Sequence, residues 1–252
     1  MEATISAQGL KLFVRERGNG HPLLMINGIG ADSGAWGSAE DSLASSSRTI
    51  VFDSPGTGRS ETPMLPRSVP ALARLTCALL DQLGHARVDI LGFSFGGALA
   101  QQLAKDAPQR VRRVALVSTF CGWGGTAADP GAVGRFVADG RVVPNAIGSS
   151  HQLLALATWS SLGWLSSITA PTLVVGGTRD SLVPPANAIQ LARRLPNSSL
   201  QLLPEADHLC LSDATGAAMH LLTDFFSSGT LGQSHAWRTG LLRHPDSQSE
   251  VR

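Results

Sequence analysis

Short apolar runs alternate along the chain with longer segments in which apolar residues recur at helical spacing. The runs are continuous, which is typical of parallel strands buried on both faces of a sheet. The amphipathic segments between them predict helices. The predicted strands are 10–14, 22–26, 48–52, 88–91, 111–117, 172–175 and 199–203, and the predicted helices are 69–83, 96–106, 186–195 and 214–226. This order predicts an α/β fold with a mostly parallel central sheet flanked by helices.

Two segments depart from this alternation. Residues 121–165 are rich in glycine, alanine and tryptophan, have weak helical patterning and lie between two predicted strands. We interpret them as a short insertion. Residues 227–252 mix glycine, serine, arginine and histidine with few apolar residues, which is typical of a disordered tail. The sequence therefore predicts one domain, residues 1–226, followed by that tail.

Composition and charge exclude several classes of protein. The chain has 20 basic and 19 acidic residues, so it has no charge excess that would recruit nucleic acid or an anionic membrane. No apolar run approaches the about 18 residues of a transmembrane helix, and residues 1–17 lack the apolar core of a secretory signal. Cys77, Cys121 and Cys210 suit neither a zinc site nor a disulfide framework. We expect a cytoplasmic protein without a metal or cofactor, whose oligomeric state the sequence leaves open.

A G-x-S-x-G motif occupies residues 92–96, between a predicted strand and a predicted helix. On so tight a turn the central residue, Ser94, would hold its hydroxyl above the sheet, and small flanking residues would let the backbone turn. The N-terminus of the following helix favours developing negative charge. Ser94 is therefore the candidate nucleophile, and a serine that merely caps the helix is the alternative.

A serine nucleophile needs a base, and the base needs an acid that orients it. His208, one of seven histidines, follows a predicted strand and precedes the last helix, as the chain order Ser…Asp…His requires. Asp180 follows the strand 172–175. Asp207 and Asp213 are nearer to His208 in sequence, but neighbours along a chain seldom point their side chains at each other. Asp180 is therefore the candidate acid.

An oxyanion hole needs two backbone N–H donors. One should come from Phe95, the residue after the nucleophile, and the other from Ile29, in the loop after the strand 22–26. Asn27 and Gly28 would hold that loop open beside the substrate. Ile29 and Phe95 are therefore the candidate oxyanion donors, and Asn27 and Gly28 are candidate substrate-binding residues.

The same loop offers a competing interpretation. Gly28 and Gly30 follow a strand, and Asp53 ends the next one, which imitates a dinucleotide-binding fingerprint. The third small residue of that fingerprint would be Ser33, and Gly34 comes one position late. The sequence therefore favours hydrolase chemistry over nucleotide binding.

Four aromatic residues mark the insertion. They would either pack it onto the body or line an acyl-binding cleft that excludes water from the oxyanion site. On the second interpretation the insertion is a short lid. The candidate substrate-binding aromatics are Trp123, Phe136, Trp159 and Trp164.

Taken together, the 92–97 turn, the strand end at Asp180 and His208 resemble the α/β-hydrolase superfamily over residues 5–226. Within it, four stretches look like intracellular poly(3-hydroxyalkanoate) depolymerases for medium-chain polyesters: 22–31, 52–63, 96–117 and 161–175. The resemblance implies a serine hydrolase that cleaves a 3-hydroxyacyl ester, with Ser94 as nucleophile, Asp180 as acid and His208 as base. The expected substrate is a small molecule or polyester with an apolar acyl part.

Two departures from that family concern the acyl site. Phe95 stands where the family usually has tryptophan, and the insertion looks shorter than the family's lid. The same three residues would also serve a thioesterase, a lactonase or a carbon–carbon bond hydrolase. A binding module that keeps the pocket with little turnover is the remaining alternative.

Overall fold

The computed structural model describes residues 1–131, 146–212 and 216–227. The strands are β1 Glu2–Ala7, β2 Leu10–Arg17, β3 His21–Ile26, β4 Ser47–Phe52, β5 Val88–Phe93, β6 Val111–Val117, β7 Thr172–Gly177 and β8 Ser198–Leu203. The α-helices of the described residues are α1 Gly37–Ala44, α2 Val69–Gln82, α3 Phe95–Asp106, α4 Ala146–Ala157, α5 Pro185–Arg194 and α6 Ala217–Ser227.

The strands form one sheet in the order β1-β2-β4-β3-β5-β6-β7-β8. Strands β1 and β2 pair antiparallel, as do β2 and β4, and all the other pairs are parallel. The predicted mostly parallel sheet is therefore confirmed. Strand β4 lies on one side of β3 in the sheet, and β5 lies on its other side. The order in which the chain adds strands to the sheet therefore reverses at β3, and the loops after β3 and β5 meet at this point. Ligands of open α/β sheets bind at such a point.

The sheet is buried on both faces. Leu24 and Ile26 of β3 pack with α2 and α3 in one core cluster. Leu23 and Met25 of the same strand pack with α1 and α6 in the other. Both faces of the central strands meet apolar helices, and this is why their sequences are continuously apolar.

Three elements were not predicted: β1, α1 and α4. Strand β1 is joined to β2 by Gln8 and Gly9, whose φ values of 45° and 79° are typical of a two-residue hairpin turn. The predicted helix 214–226 is described over Ala217–Ser227, and Ser227 ends it. The rest of the predicted tail, residues 228–252, lies outside the described residues. Within the described ranges no helix has the length and apolarity to cross a membrane.

Candidate active site

Ser94 is the single residue between β5 and α3, and its backbone is strained. Its φ of 52° and ψ of −116° are outside the regions that L-residues usually adopt, at a cost of about 1–3 kcal/mol. Two hydrogen bonds hold this conformation: the Ser94 N–H donates to the carbonyl of Val117 in β6 at 3.0 Å, and the Gly97 N–H donates to the Ser94 carbonyl at 2.9 Å. The turn predicted from the 92–96 motif is thus formed where the parallel strands end.

Close backbone approaches explain the glycines that follow the serine. A Cβ atom at Gly96 would lie 2.0 Å from the carbonyl oxygen of Ile26, at the end of β3. A Cβ atom at Gly97 would lie 2.4 Å from the hydroxyl oxygen of Thr119. Helix α3 can therefore start directly against β3 and the end of β6 only with glycine at both positions.

The structure brings Ser94, His208 and Asp180 into one hydrogen-bonded path. His208 Nε2 lies 3.2 Å from the Ser94 hydroxyl oxygen, and His208 Nδ1 lies 2.9 Å from Asp180 Oδ2. A carboxylate can only accept, so Nδ1 carries the proton and Nε2 accepts from the serine hydroxyl. The other Asp180 oxygen accepts the N–H groups of Leu182 at 3.0 Å and Val183 at 2.7 Å. The carboxylate is therefore fixed in place and its charge is stabilised.

The alternative acids do not compete for His208. Asp207 is exposed, and its carboxylate accepts the N–H of Leu209 at 2.9 Å. Asp213 lies outside the described residues. The ring of Phe93, at the end of β5, packs against the His208 imidazole with 5.2 Å between centroids. The imidazole is thus held by a carboxylate on one edge and an aromatic ring on its side.

The loop after β3 lies against Ser94. A Cβ atom at Gly28 would be 3.4 Å from Ser94 Cβ. The Asn27 amide donates to the carbonyl of Asp32 at 2.6 Å and thereby closes the loop on itself. Among the described residues, the N–H groups of Ile29 and Phe95 have no hydrogen-bond partner. Their role as oxyanion donors stays a prediction.

Gln152 of α4 holds the same loop, and sequence reasoning missed it. Its side-chain oxygen accepts the N–H of Gly30 at 2.7 Å, in a buried contact that joins residues 122 positions apart. One turn earlier in α4, Gly148 packs so closely that a Cβ atom there would lie 1.8 Å from the carbonyl oxygen of Gly56. A single glutamine in a weakly patterned segment gives no signal that could have found this contact.

Two buried glutamines of α3 hold the base of the insertion. Gln101 accepts the Ser161 hydroxyl at 2.7 Å, and Gln102 accepts the Trp159 indole N–H at 2.8 Å. A β-bridge between Gly122 and Ser160 joins the two ends of the insertion. The insertion is therefore fastened to α3, the helix that follows Ser94.

The aromatic candidates occupy different environments. Trp159 is 5% exposed and belongs to the core, whereas Trp123 is 69% exposed. Trp164 meets Trp159 edge to face at 6.0 Å. Phe136 lies outside the described residues. The contacts of Trp159 and Trp164 account for packing of the insertion, and a role of these four residues in substrate binding stays a prediction.

Phe95, which replaces the tryptophan expected from the family resemblance, has a fully buried side chain in the core under α3. Only its backbone N–H is then available to the site.

The carboxylate of Asp53, which suggested nucleotide binding, serves the local fold. It accepts the N–H of Ser33 at 2.6 Å and that of Arg59 at 2.7 Å. These bonds fasten the loops after β3 and β4 to each other. In the described part of the chain, no group of three or more His, Cys, Asp or Glu side chains could hold a metal ion.

Cys210 lies two residues after His208 and is held as a neutral thiol. Burial raises its pKa to about 11, although the Ser118 hydroxyl, 3.6 Å from the sulfur, opposes the shift. Burial also raises the pKa of Cys77 and of Cys121. A thiol with a raised pKa is a weak nucleophile at neutral pH. Cys210 therefore does not rival Ser94.

Comparisons with known proteins agree with this architecture. A family profile described as "alpha/beta hydrolase fold" matches residues 21–153, and one described as "TAP-like protein" matches residues 158–236. A poly(3-hydroxyalkanoate) depolymerase of Ectopseudomonas oleovorans is 33% identical over 238 residues, which are 81% of this chain and 83% of the relative.

Solved structures share the fold over most of their length. The enol-lactonase of Burkholderia xenovorans LB400 superposes with a TM-score of 0.80 at 23% identity, covering 90% of this chain and 100% of that one. A meta-cleavage product hydrolase of Pseudomonas fluorescens IP01 gives 0.75 at 22% identity, covering 89% and 97%. At these identities the likeness concerns the fold alone.

Proposed function

The chain belongs to the α/β-hydrolase fold family, and we propose that it is a serine hydrolase that cleaves carboxylic esters through an acyl-enzyme. One observation carries the proposal. The Ser94 hydroxyl, the His208 imidazole and the Asp180 carboxylate form a continuous hydrogen-bonded path, with 3.2 Å and 2.9 Å between the bonded atoms. This arrangement supplies a nucleophile, a base and an acid that orients the base.

In the first half-reaction the Ser94 oxygen attacks the ester carbonyl carbon while its proton passes to His208 Nε2. The carbonyl oxygen becomes an oxyanion, which the N–H groups of Phe95 and Ile29 would stabilise. Asp180 remains ionised and stabilises the imidazolium through Nδ1. Collapse of the tetrahedral intermediate expels the alcohol, which takes the proton back from Nε2, and leaves the acyl group on Ser94.

In the second half-reaction water attacks the acyl-enzyme. His208 Nε2 accepts a proton from the water, and a second oxyanion forms between the same two N–H donors. Its collapse releases the carboxylic acid and returns the proton to the serine oxygen. The net change is hydrolysis of one ester to an acid and an alcohol, with the protein unchanged.

We propose a 3-hydroxyacyl ester with an apolar acyl part as the substrate class. The support is the 33% identity to a protein named as a poly(3-hydroxyalkanoate) depolymerase, which extends over 81% of this chain. A cytoplasmic location, and lid function for the insertion, stay predictions. Thioester, lactone and carbon–carbon bond hydrolysis would use the same three residues and differ only in the bond that enters the site.

Covalent labelling tests the mechanism directly. A fluorophosphonate probe should add its mass to the peptide that contains Ser94, and Ser94→Ala should abolish the labelling. Labelling that survives Ser94→Ala would show that another residue is the nucleophile. An unlabelled wild type would favour a binding module, and a panel of p-nitrophenyl esters together with polyester granules would then show no turnover.

A further inference from the structure

Residues 28–31, in the loop after β3, are tied to the insertion through one side chain. The Gly30 N–H donates to Oε1 of Gln152 in helix α4 at 2.7 Å, in a buried contact. Among the described residues, no other hydrogen bond links this segment to another part of the chain. Because an amide nitrogen cannot accept an N–H, the Gln152 oxygen must face Gly30. The position of the segment therefore depends on Gln152.

The bond to Gln152 restricts the orientation of the Ile29 N–H. The peptide units that carry the Ile29 and Gly30 N–H groups share the Ile29 Cα atom, so holding the second unit leaves only two rotatable bonds to move the first. Gly30 has a φ of 71°, and a glycine easily leaves such a conformation unless a contact holds it. On the other side, a Cβ atom at Gly28 would lie 3.4 Å from Ser94 Cβ. The N–H of Ile29 is thus held from both sides.

Helix α4 gives Gln152 a fixed position. The glutamine is 3% exposed and shares the buried face of α4 with Gly148, Ser149 and Ala155. The backbone of Gly148 lies so close to that of Gly56 that a Cβ atom on either glycine would clash with the other. A side chain in such packing changes its rotamer only by displacing its neighbours. The loop after β3 is therefore held from a rigid support.

Stability alone does not explain a glutamine at this position. Among the described residues its Nε2 is buried without a hydrogen-bond partner, which carries the desolvation cost of an unpaired polar group. The bond to Oε1 spares the buried Gly30 N–H the same cost. An apolar side chain of equal size would exchange one unpaired group for another. What the glutamine adds is control over the position of the loop.

We propose that Gln152 is a positioning residue for catalysis, which holds the Ile29 N–H, through Gly30, where the substrate oxyanion forms. This role rests on the proposed function, in which Ile29 is one of the two oxyanion donors. It makes helix α4 of the insertion part of the support for the transition state. Since the negative charge develops on the carbonyl oxygen only in the transition state, the effect falls on kcat and leaves KM nearly unchanged.

Gln152→Met removes the acceptor and keeps the length of the side chain. Complete loss of an oxyanion donor costs about 10²–10³ in kcat, so a displaced donor should cost about tenfold or more, with KM changed by less than about twofold. Kinetics on p-nitrophenyl butanoate measure both constants. The free energy of unfolding should stay close to that of the wild type, because the variant trades one unpaired buried group for another.

The matched control is Gln102→Met. Gln102 is likewise 3% exposed, but its side chain bonds Trp159 and Asp106 and not the loop after β3. This control should keep the kcat of the wild type. Equal losses of kcat in Gln102→Met and Gln152→Met would show that Gln152 only fastens the insertion, and would overturn the positioning role.

A second variant covers the case in which methionine disturbs the packing. Gln152→Asn keeps the amide but withdraws its oxygen from Gly30 by one carbon–carbon bond, about 1.5 Å, so the same loss of kcat is expected. Hydrogen exchange, followed by mass spectrometry on a peptide covering residues 27–32, does not depend on turnover. Exchange of this peptide should be faster in both Gln152 variants than in the wild type and in Gln102→Met.

A trifluoromethyl ketone tests the oxyanion directly, because its adduct with Ser94 carries a negative oxygen between the same donors. We expect it to bind Gln152→Met about tenfold or more weakly than the wild type. Unchanged kcat and inhibitor affinity in both Gln152 variants, or a rise in KM alone, would overturn the positioning role and leave the proposed function standing. A wild type that a fluorophosphonate does not label at Ser94 would overturn both.

Discussion

Thr119 donates its hydroxyl hydrogen bond to the carbonyl oxygen of Ser94, 2.6 Å away. Thr119 follows β6 and is 2% exposed. The Ser94 N–H already donates to Val117, at the end of β6. The end of β6 and the residue two positions beyond it therefore hold both backbone polar groups of Ser94, the candidate nucleophile.

Thr119→Val should weaken this support. Valine has the shape of threonine but cannot donate, so we expect a loss of about 1 kcal/mol in the free energy of unfolding and a lower kcat with little change in KM. Urea denaturation and ester kinetics measure the two effects. Thr119→Ser keeps the hydroxyl and is the matched control. A valine variant indistinguishable from wild type would show that the bond does not support the turn.

Removal of the base should nearly abolish turnover. His208→Ala is expected to lower kcat by about 10⁴ or more, as loss of a triad base does elsewhere. Asp180→Asn should cost somewhat less, because the oxyanion donors and a misoriented imidazole remain. Steady-state kinetics on a p-nitrophenyl ester give both values. Asp207→Asn is the control. A larger loss of kcat in Asp207→Asn than in Asp180→Asn would show that Asp180 is not the acid that orients the base.

Gly96 should tolerate no side chain. A Cβ atom there would lie 2.0 Å from the carbonyl oxygen of Ile26, and backbone on both sides limits relaxation. Gly96→Ala should reduce the free energy of unfolding by about 1–3 kcal/mol or more, measured by urea denaturation. The matched control is Gly163→Ala, because a Cβ atom at Gly163 would meet nothing within 4 Å. Equal stabilities for the two variants would contradict the close packing of α3 against β3.

Acyl chain length should affect the specificity constant. Each methylene buried in an apolar cleft contributes at most about 0.8 kcal/mol, or roughly fourfold in kcat/KM. Between p-nitrophenyl acetate and the octanoate we therefore expect a rise of about 10² or more, ending where the cleft ends. The slope of log kcat/KM against chain length is the measurement. A wild type that prefers acetate would contradict an acyl site for medium chains.

Cys210 should resist alkylation until the pH is high. With a pKa of about 11, only about one thiol in a thousand is ionised at pH 8, and the thiolate is the reactive form. The rate of iodoacetamide modification, followed by mass spectrometry on the Cys210 peptide, should rise up to about pH 11. The urea-unfolded chain should react much faster at pH 8. Rapid modification of the folded protein at that pH would show that the thiol is not buried.

The sheet, and the meeting of the Ser94, His208 and Asp180 side chains, could be predicted because their signals are local or follow chain order. Continuous apolar runs mark strands buried on both faces, and Ser94 occupies a turn that only a small set of residues permits. Asp180 and His208 each follow a strand, and parallel strands bring their carboxyl ends to one edge of the sheet.

The remaining elements depend on contacts that leave little trace in the sequence. Strand β1 has few large apolar residues and pairs only with β2, at the edge of the sheet. The apolar residues of helix α4 show only weak helical periodicity in the sequence. The position of α4 depends on Gly148 and Gln152, each of which contacts a loop about a hundred residues away along the chain. Such pairings are set by tertiary packing and cannot be derived from spacing.

The contact between Gly148 and Gly56 makes the position of α4 adjustable by protein engineering. At Gly56 the φ of 81° disfavours any other residue. Gly148 lies in helix α4, and a Cβ atom there would be 1.8 Å from the Gly56 carbonyl oxygen, so any side chain would force the helix and the loop apart. Alanine, serine or valine at position 148 would increase the separation between α4 and the Gly56 loop as the side chain becomes larger. Changes at this one residue would thus move α4, and with it the Gln152 contact to the loop after β3, while leaving Ser94, His208 and Asp180 unaltered.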